Sequence, residues 1–409
     1  MRKDLIGLYA SIIYFLVSFS QLHVIIPGVK YIKLGLLSTI ILLVLVMPNL
    51  FKKGWLYPLG IWRIFFLLSI IPGLVYGYGS GLVRGILITA IIDFIVSFIG
   101  ISVFVNNIRN LMLFNWIVIA SGLAMAIYVI VNGGHGPGIL TDENDAGLVL
   151  VMLLPFAYFF WTQVRVLYLK VILLITVMLI ISATCATLSR GAMVGVLPTV
   201  FIIVMESKRK ILTLFFMAIA ISVAIVFAPP KLISEFKSIK NTNEGTAGAR
   251  QYFWGLSIEM FKKKPLFGVG AQCWGNALWS GLVPFKGAIR IMTPHSIYFQ
   301  TLSELGLLGV VSWGGLIIAS FLSCFKIQKL TINASRVIID KTIQSELIFL
   351  NLFAKSLSIG LVGGLICGLF LSFLFYPHIF AFIALIQTTY SITYLKTIQL
   401  SYYCNRNNC

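Results

Sequence analysis

Three side chains carry most of the chemistry that this sequence offers. The chain has 409 residues but only four histidines, so each histidine and each arginine outside a basic cluster is informative. Arg190 lies in TLSRGAM, Arg250 in TAGARQYFWGLSIEMFKKKPLFGVG and His295 in TPHSIYFQTLSELGLLG. A guanidinium group stays protonated and binds anionic oxygens through two donors, whereas a neutral imidazole accepts a proton near neutral pH. The combination is suited to stabilising negative charge and moving a proton.

One polar region, from Pro229 to Ser296, interrupts an otherwise apolar sequence and must position two of these three residues. The spacing in its middle predicts an amphipathic helix. Pro265 ends that helix, and Gly268 and Gly270 form the turn that follows. The apolar face of the helix consists of Phe253, Leu256, Met260 and Phe261, and the polar face of Gln251, Glu259, Lys262 and Lys263.

The end of the polar region leads into a membrane helix. Thr293 is a suitable N-cap, and Pro294 suits the first helical position. This pattern predicts that His295 lies in the first turn of a buried helix. The positive end of the helix dipole disfavours an imidazolium ion there, which favours a histidine that stays neutral and accepts protons.

The composition excludes a soluble protein. Hydrophobic residues make up 59% of the chain, charged residues 11%, and the mean hydropathy is +0.99, which is typical of a polytopic membrane protein. The net charge of +19 does not indicate nucleic acid binding, because most Lys and Arg residues lie in short clusters between apolar runs. Such clusters set membrane topology and attract anionic lipids. No spacing typical of a metal site is present, so we predict neither a metal nor a cofactor.

Apolar runs of sufficient length predict an all-α membrane protein with about twelve transmembrane helices. We expect a helical subdomain in the external loop between the ninth and tenth spans, which the family resemblance given below makes a periplasmic loop subdomain. Residues 1–228 then form the first part of the bundle, 229–296 the loop subdomain, 297–395 the last part and 396–409 a cytoplasmic tail. The predicted spans are Leu5–Ile26, Leu34–Leu50, Leu56–Tyr76, Leu82–Val105, Leu111–Val131, Ala146–Trp161, Val171–Ala186, Ala192–Met205, Ile211–Ala228, Ile297–Phe325, Ile348–Phe375 and Ile379–Tyr394.

Basic residues are concentrated in alternate loops, which predicts that both termini are cytoplasmic. The polar region then lies on the outer side, together with Arg190 and the loop NGGHGPGILTDENDAG. Asp142 and Asp145 in that loop either cap the following helix or bind substrate. Trp254 either stacks on a sugar or anchors the chain at the membrane interface. Arg290 is a further candidate for substrate binding.

Several charged residues fall inside predicted spans, where they are costly unless they face a cavity or one another. Arg63 and Asp93 lie at compatible depths on adjacent antiparallel spans, which predicts a structural ion pair. Arg84 and Glu304 lie towards the outer ends of their spans and are candidates to extend the outer site inward. A proton relay is the alternative function for such residues.

In combination, these motifs resemble the O-antigen ligase and O-antigen polymerase superfamily of polytopic bacterial membrane glycosyltransferases. The resemblance rests on LSRG at a span end, then GARQYFWGLSIEMFKKKPLFGVG, then PHSIYFQTLSELGLLG, in that order and with a large external loop between late spans. It is strong from Ala186 to Gly309. Many members have Asn after the histidine, where this chain has Ser296. This difference bears on which acceptor the protein uses more than on the reaction that it catalyses.

The resemblance implies a metal-independent glycosyltransferase of the bacterial inner membrane with its active face in the periplasm. Its donor would be a glycan linked to undecaprenyl diphosphate, and its acceptor a hydroxyl group of lipid A-core, a glycan or a protein. Carried over by motif, the catalytic residues are Arg190, Arg250 and His295. The substrate-binding candidates beside them are Arg290, Asp142, Asp145, Trp254 and Arg84.

The sequence is also compatible with three other functions. A polymerase of the same superfamily would use a second lipid-linked glycan as acceptor. A flippase or transporter for lipid-linked oligosaccharides would explain the charges within the spans, but it would require charged residues along a path to both membrane faces. A scaffold within an envelope-assembly complex would have no chemistry, and substitution of His295 would leave glycan output intact.

Overall fold

The computed structural model describes residues 2–26, 28–51, 53–226, 245–285 and 293–407, and these residues form helices, turns and loops without a strand. We number the helices of ten or more residues in chain order. They are α1 Arg2–Ser20, α2 Leu34–Val46, α3 Ile61–Ile70, α4 Ser80–Asp93, α5 Ile108–Val131, α6 Glu143–Gln163, α7 Leu167–Ala186, α8 Arg190–Glu206, α9 Lys210–Val226, α10 Gly245–Lys263, α11 Ile297–Val337, α12 Lys341–Cys367 and α13 Pro377–Asn407.

Nine helical segments are long and apolar enough to cross a membrane, counted over the described ranges. The three remaining predicted spans correspond to the shorter helices α2, α8 and α9, which have 13, 17 and 17 residues. The structure therefore confirms an all-helical, multi-pass membrane architecture but does not confirm a count of twelve. The proposed domain boundaries stay predictions, and parts of the loop subdomain lie outside the described residues.

Helix α6 lies at the centre of the bundle, because 83% of its most apolar window is buried, against 39% for α7. It packs against α5, α7, α8 and α12. Its sequence explains the position, since an almost uninterrupted apolar run from residue 146 to 160 has no polar face to turn outward. Each end of this central helix opens onto a different polar site.

Helix α11 is broken at Gly306, which has φ 61° and ψ −154°. The sequence predicted a continuous helix here, and this part of the prediction is wrong. The break leaves backbone groups of residues 303–308 without helical partners, and residues 265–270 bond to them instead. The four hydrogen bonds run from Val269 N to Ser303 O (2.9 Å), Gly270 N to Glu304 O (2.9 Å), Leu307 N to Pro265 O (2.8 Å) and Leu308 N to Leu266 O (3.2 Å).

This pairing requires glycine on both sides. A Cβ on Gly268 would lie 2.4 Å from the carbonyl carbon of Glu304, and one on Gly306 would lie 2.7 Å from the Gly268 nitrogen. Gly268 also has φ +65°, which a glycine adopts without a steric cost. Gly268 of PLFGVG and Gly306 of SELGLLG are thus explained by the close approach of two backbones.

The predicted ion pair between Arg63 and Asp93 is confirmed. The Arg63 Nη2 atom lies 3.1 Å from Asp93 Oδ2, and the arginine is completely buried. The Tyr14 hydroxyl donates to Asp93 Oδ1 at 3.0 Å, and the guanidinium carbon lies 3.3 Å from the ring centroid of Phe380. These contacts link α1, α3, α4 and α13 and compensate for removing both charges from water.

Candidate active site

The amphipathic helix predicted in the polar region is present as α10, and it carries Arg250. Leu256 and Met260 are buried on its inner face, while Glu259 and Lys262 are exposed and form an ion pair of 2.8 Å. The helix ends at Lys263, just before the segment that bonds to the break in α11. Its far end is thereby fixed to the helix that follows His295.

Trp254, in the middle of α10, fixes this helix to the segment that contains His295. Its indole Nε1 donates to the Pro294 carbonyl at 3.1 Å, and its ring stacks on Phe299 with centroids 5.1 Å apart. The indole nitrogen and at least part of one face of the ring are therefore occupied by contacts that hold α10 against the start of α11. A role for Trp254 in sugar binding stays a prediction.

The start of α11 differs from the prediction. The helix begins at Ile297 with Ser296 as its N-cap residue, so Thr293 is not the cap and His295 precedes the helix. His295 has φ +49°, a left-handed conformation that is uncommon outside glycine. It is accessible to solvent but partly shielded by its neighbours, and it adjoins the positive end of the α11 dipole.

Two hydrogen bonds hold the backbone that directly follows His295. The Ser296 N–H donates to Ser372 Oγ at 3.2 Å, and the Ile297 N–H donates to the Gly368 carbonyl at 2.9 Å. A sequence pattern for capping considers only neighbouring residues, whereas here the loop after α12 satisfies the first N–H groups of α11. Tertiary hydrogen bonds therefore shift the helix start by three residues from the predicted position.

Arg190 is the first residue of α8. Ser189 caps this helix, because its Oγ accepts from the Ala192 N–H at 3.1 Å, and the same hydroxyl donates to Asn144 Oδ1 at 2.8 Å. Asn144 lies in the first turn of α6. The amino-terminal ends of α6 and α8 are thus joined side by side.

The acidic residues at the start of α6 have different environments. Asp142 is exposed and caps the helix by accepting from the Asn144 N–H at 2.8 Å, as the capping interpretation predicted. Asp145 is buried and accepts a hydrogen bond from the Tyr376 hydroxyl at 3.2 Å. Burial and the nearby Asp145 carboxylate raise the pKa of Tyr376, which keeps this hydroxyl protonated as the donor.

Four charged or titratable side chains from distant parts of the chain meet at these helix ends. We call Asp142, Arg190, Arg250 and His295 the charged cluster. Arg250 experiences the like charge of Arg190 and the opposite charge of Asp142, and His295 experiences the charges of Arg250 and Asp142. The Arg250 guanidinium carbon also lies 5.9 Å from the ring centroid of Phe370. Arg250 therefore lies within electrostatic range of the other two residues predicted to be catalytic, Arg190 and His295.

The cluster is more favourable to anions than to further cations. Partial burial and the charge of Arg190 lower the pKa of Arg250, and Asp142 opposes this effect. Partial burial likewise lowers the pKa of His295, and Arg250 lowers it further against the opposing charge of Asp142. The imidazole therefore stays neutral to a lower pH than an isolated histidine. The cluster can bind an anion through arginine and accept a proton through histidine.

The remaining predicted site residues are placed differently. Arg84 is exposed on α4, and within the described residues no hydrogen bond or ion pair joins it to the charged cluster. Glu304 is buried beside the break in α11, where its Oε2 accepts from the Gln272 N–H at 2.9 Å and from Gln300 Nε2 at 3.3 Å. It supports the paired backbones there. Arg290 lies outside the described residues.

Sequence reasoning missed several residues that shape the cluster. Tyr376, Phe370 and Ser372 come from the loop between α12 and α13, which carried no motif. His378 follows on α13, where it is buried against Phe19 with ring centroids 5.1 Å apart. The only available signal was the run of aromatic residues in FYPHIF, which is equally typical of a packed helix start.

The described residues include no group of three or more His, Cys, Asp and Glu side chains that could hold a metal ion. In a comparison with known protein families, residues 175–314 match the family model described as O-antigen ligase. This stretch contains Arg190, Arg250 and His295. A search of curated proteins finds no match. Members of that family are glycosyltransferase-like enzymes that act on lipid-linked glycans and membrane-associated acceptors. This match supports membership of the chain in the O-antigen ligase superfamily.

Proposed function

We propose that this protein transfers a glycan from an undecaprenyl diphosphate-linked donor to an acceptor hydroxyl on the periplasmic face of the bacterial inner membrane. The acceptor would be lipid A-core or a protein, as in O-antigen ligation. The family match supports ligase- or polymerase-type glycan transfer in general. The more specific donor and acceptor are our proposal.

The juxtaposition of Arg190 and Arg250 supports this proposal most directly. Two guanidinium groups whose charges repel one another create a positive potential that attracts an anion. Arg190 also begins α8 and His295 precedes α11, so two helix amino termini add to the positive potential. A lipid diphosphate carries the charge and the oxygen geometry that arginine binds well.

In the proposed reaction, the acceptor oxygen bonds to the anomeric carbon while the bond from that carbon to the diphosphate oxygen breaks. The acceptor proton passes to the neutral His295 imidazole. The electron pair of the broken bond leaves with the diphosphate, where Arg190 and Arg250 stabilise the added charge. The strained backbone at His295 is consistent with a functional position, since such conformations are concentrated at active sites.

Purified variants test these roles in a transfer assay with lipid-linked glycan. His295→Gln should lower kcat by about 10²–10⁴-fold, and Arg250→Gln by about 10²–10³-fold. Lys262→Gln is the matched control, because Lys262 lies on the same helix but is exposed and pairs only with Glu259 among described residues. If His295→Gln kept the rate of the parent protein at every pH, general-base catalysis by this residue would be excluded.

A null mutant distinguishes ligation from polymerisation. Envelope glycans are separated by size and their attachment is determined. Loss of polymer from lipid A-core, with accumulation of lipid-linked chains, is expected for a ligase. Single repeat units attached to the core would instead identify a polymerase and would overturn our choice of acceptor.

A further inference from the structure

A second polar site lies at the opposite end of α6 and α8 from the charged cluster. Here a cavity of about 490 Å³ is lined by residues from α6, α7, α8, α11 and α12. Helix α6 has 21 residues, so its two ends are about 30 Å apart. The cavity is therefore separate from the proposed transfer site, on the membrane side that the basic loops predict to be cytoplasmic.

The charges around this cavity are predominantly positive. Lys170, Lys208, Arg209 and Lys355 line it together with one acidic residue, Glu206. Glu206 already forms an ion pair with Lys355. Three cations therefore contribute positive potential without a matching carboxylate in the lining, and Lys208 and Arg209 are exposed. Such an arrangement favours an anion.

One wall of the cavity is apolar and aromatic. Phe159, Trp161 and Leu352 line it, and the Lys170 ammonium group lies 5.6 Å from the centroid of the Trp161 ring. Cations above an apolar wall are suited to a molecule with a charged head and a hydrocarbon chain. A small hydrophilic anion would gain nothing from this wall.

The polar floor is held in a fixed arrangement. Ser207 Oγ lies 2.8 Å from Thr213 Oγ1, which in turn lies 2.8 Å from the Tyr158 hydroxyl. The Arg209 N–H donates to Ser207 Oγ at 3.0 Å. The backbone that presents Lys208 and Arg209 is thus ordered before a ligand arrives, which lowers the entropic cost of binding.

From these features we propose that the cavity binds the phosphate headgroup of an anionic membrane lipid, with the acyl chain against the aromatic wall. The site is distinct from the glycan transfer site and does not depend on the function proposed above. Bound lipid would connect α6, α8 and α12 on the side of the membrane opposite the charged cluster.

Native mass spectrometry of the detergent-purified full chain tests this proposal, with phosphatidylglycerol as the probe and zwitterionic phosphatidylcholine for comparison. The parent protein should bind phosphatidylglycerol more tightly. Lys208→Ala combined with Arg209→Ala should weaken that binding by about 25-fold, because each cation near an anionic headgroup contributes about fivefold. Lys208→Arg combined with Arg209→Lys keeps both charges and should retain binding within about threefold of the parent.

The matched control combines Lys329→Ala with Arg336→Ala. These two cations are exposed on α11 near the cavity residues Thr331 and Ser335 but do not line the cavity. Equal losses in the control and the test variant, or loss of binding in the charge-preserving variant, would overturn the proposal. So would equal affinity for the two lipids in the parent protein.

A competition experiment distinguishes a lipid ligand from a soluble phosphate ester. Glycerol 3-phosphate at millimolar concentration should leave phosphatidylglycerol binding unchanged if the acyl chain contributes as proposed. Displacement of the lipid at that concentration would show that the headgroup alone provides the affinity, and it would overturn the assignment to a lipid.

Discussion

The substitution Gly306→Ala tests whether the broken helix holds the candidate site together. Gly306 has φ 61° and ψ −154°, a region that is accessible almost only to glycine and costs other residues about 1–3 kcal/mol. A Cβ there would also lie 2.7 Å from the Gly268 nitrogen and 2.7 Å from the Leu266 carbonyl. Overpacking of this kind costs about 1–3 kcal/mol. Together the two effects should lower the free energy of unfolding by about 2–6 kcal/mol.

The same helix offers a matched control. Gly314→Ala introduces the same methyl group at a helical position where no atom lies within 4 Å of the new Cβ. Because alanine is the better helix former by about 1 kcal/mol, this control should be neutral or stabilising. Both variants are compared with the parent protein by thermal unfolding in the same detergent, and unfolding is monitored by tryptophan fluorescence.

We expect the unfolding midpoint of Gly306→Ala to fall by several degrees and that of Gly314→Ala to stay or rise. Transfer activity should fall only for Gly306→Ala, since the paired segment fixes the end of the helix that carries Arg250. Equal midpoints for the two variants would refute the reasoning, because the backbones would then tolerate a side chain between them.

Further predictions concern the charges. The active form of His295 is neutral, so the transfer rate should fall as the pH drops through the pKa of His295. Arg250→Gln removes a charge that repels the imidazolium, so it should raise this pKa and move the loss of activity to higher pH. Asp142→Asn removes a charge that attracts the imidazolium, so it should move the loss of activity to lower pH. Shifts in the same direction in the pH–rate profiles would contradict this. Arg63→Leu should lower the free energy of unfolding by about 3–5 kcal/mol, and a second substitution, Asp93→Leu, should restore much of the loss in thermal unfolding.

The sequence was sufficient to predict the class of fold and the sequence neighbourhoods of the site. Hydropathy predicted the long membrane helices, and the 3.6-residue period predicted α10 with its buried face at Leu256 and Met260. Compatible depth on adjacent spans predicted the Arg63–Asp93 pair. These features depend on local sequence patterns, on the cost of isolated charges in lipid, or on both. Each can therefore be predicted from the sequence of one or two helices.

The break at Gly306 could not be predicted in this way. Glycine within SELGLLG is compatible with a continuous membrane helix, and the sequence gives no indication of φ. Only the arrival of residues 265–270, which satisfy the freed backbone groups, makes the break stable. The membrane excludes such a break unless another part of the protein supplies those hydrogen bonds, so the two glycine motifs can be understood only as a pair.

The two connections between α10 and α11 explain how the charged cluster is positioned. From the middle of α10, Trp254 bonds to the backbone just before His295. Beyond the carboxyl end of α10, residues 265–270 bond to the break. Because backbone hydrogen bonds determine the separation at the break, side chains such as Leu266 can vary with little effect on the cluster, whereas Gly268 cannot. The position of Arg250 relative to His295 therefore depends on the Trp254 contact, about one helical turn from Arg250, and also on a backbone junction several turns away. A substitution at that junction should reduce transfer without touching a charged group.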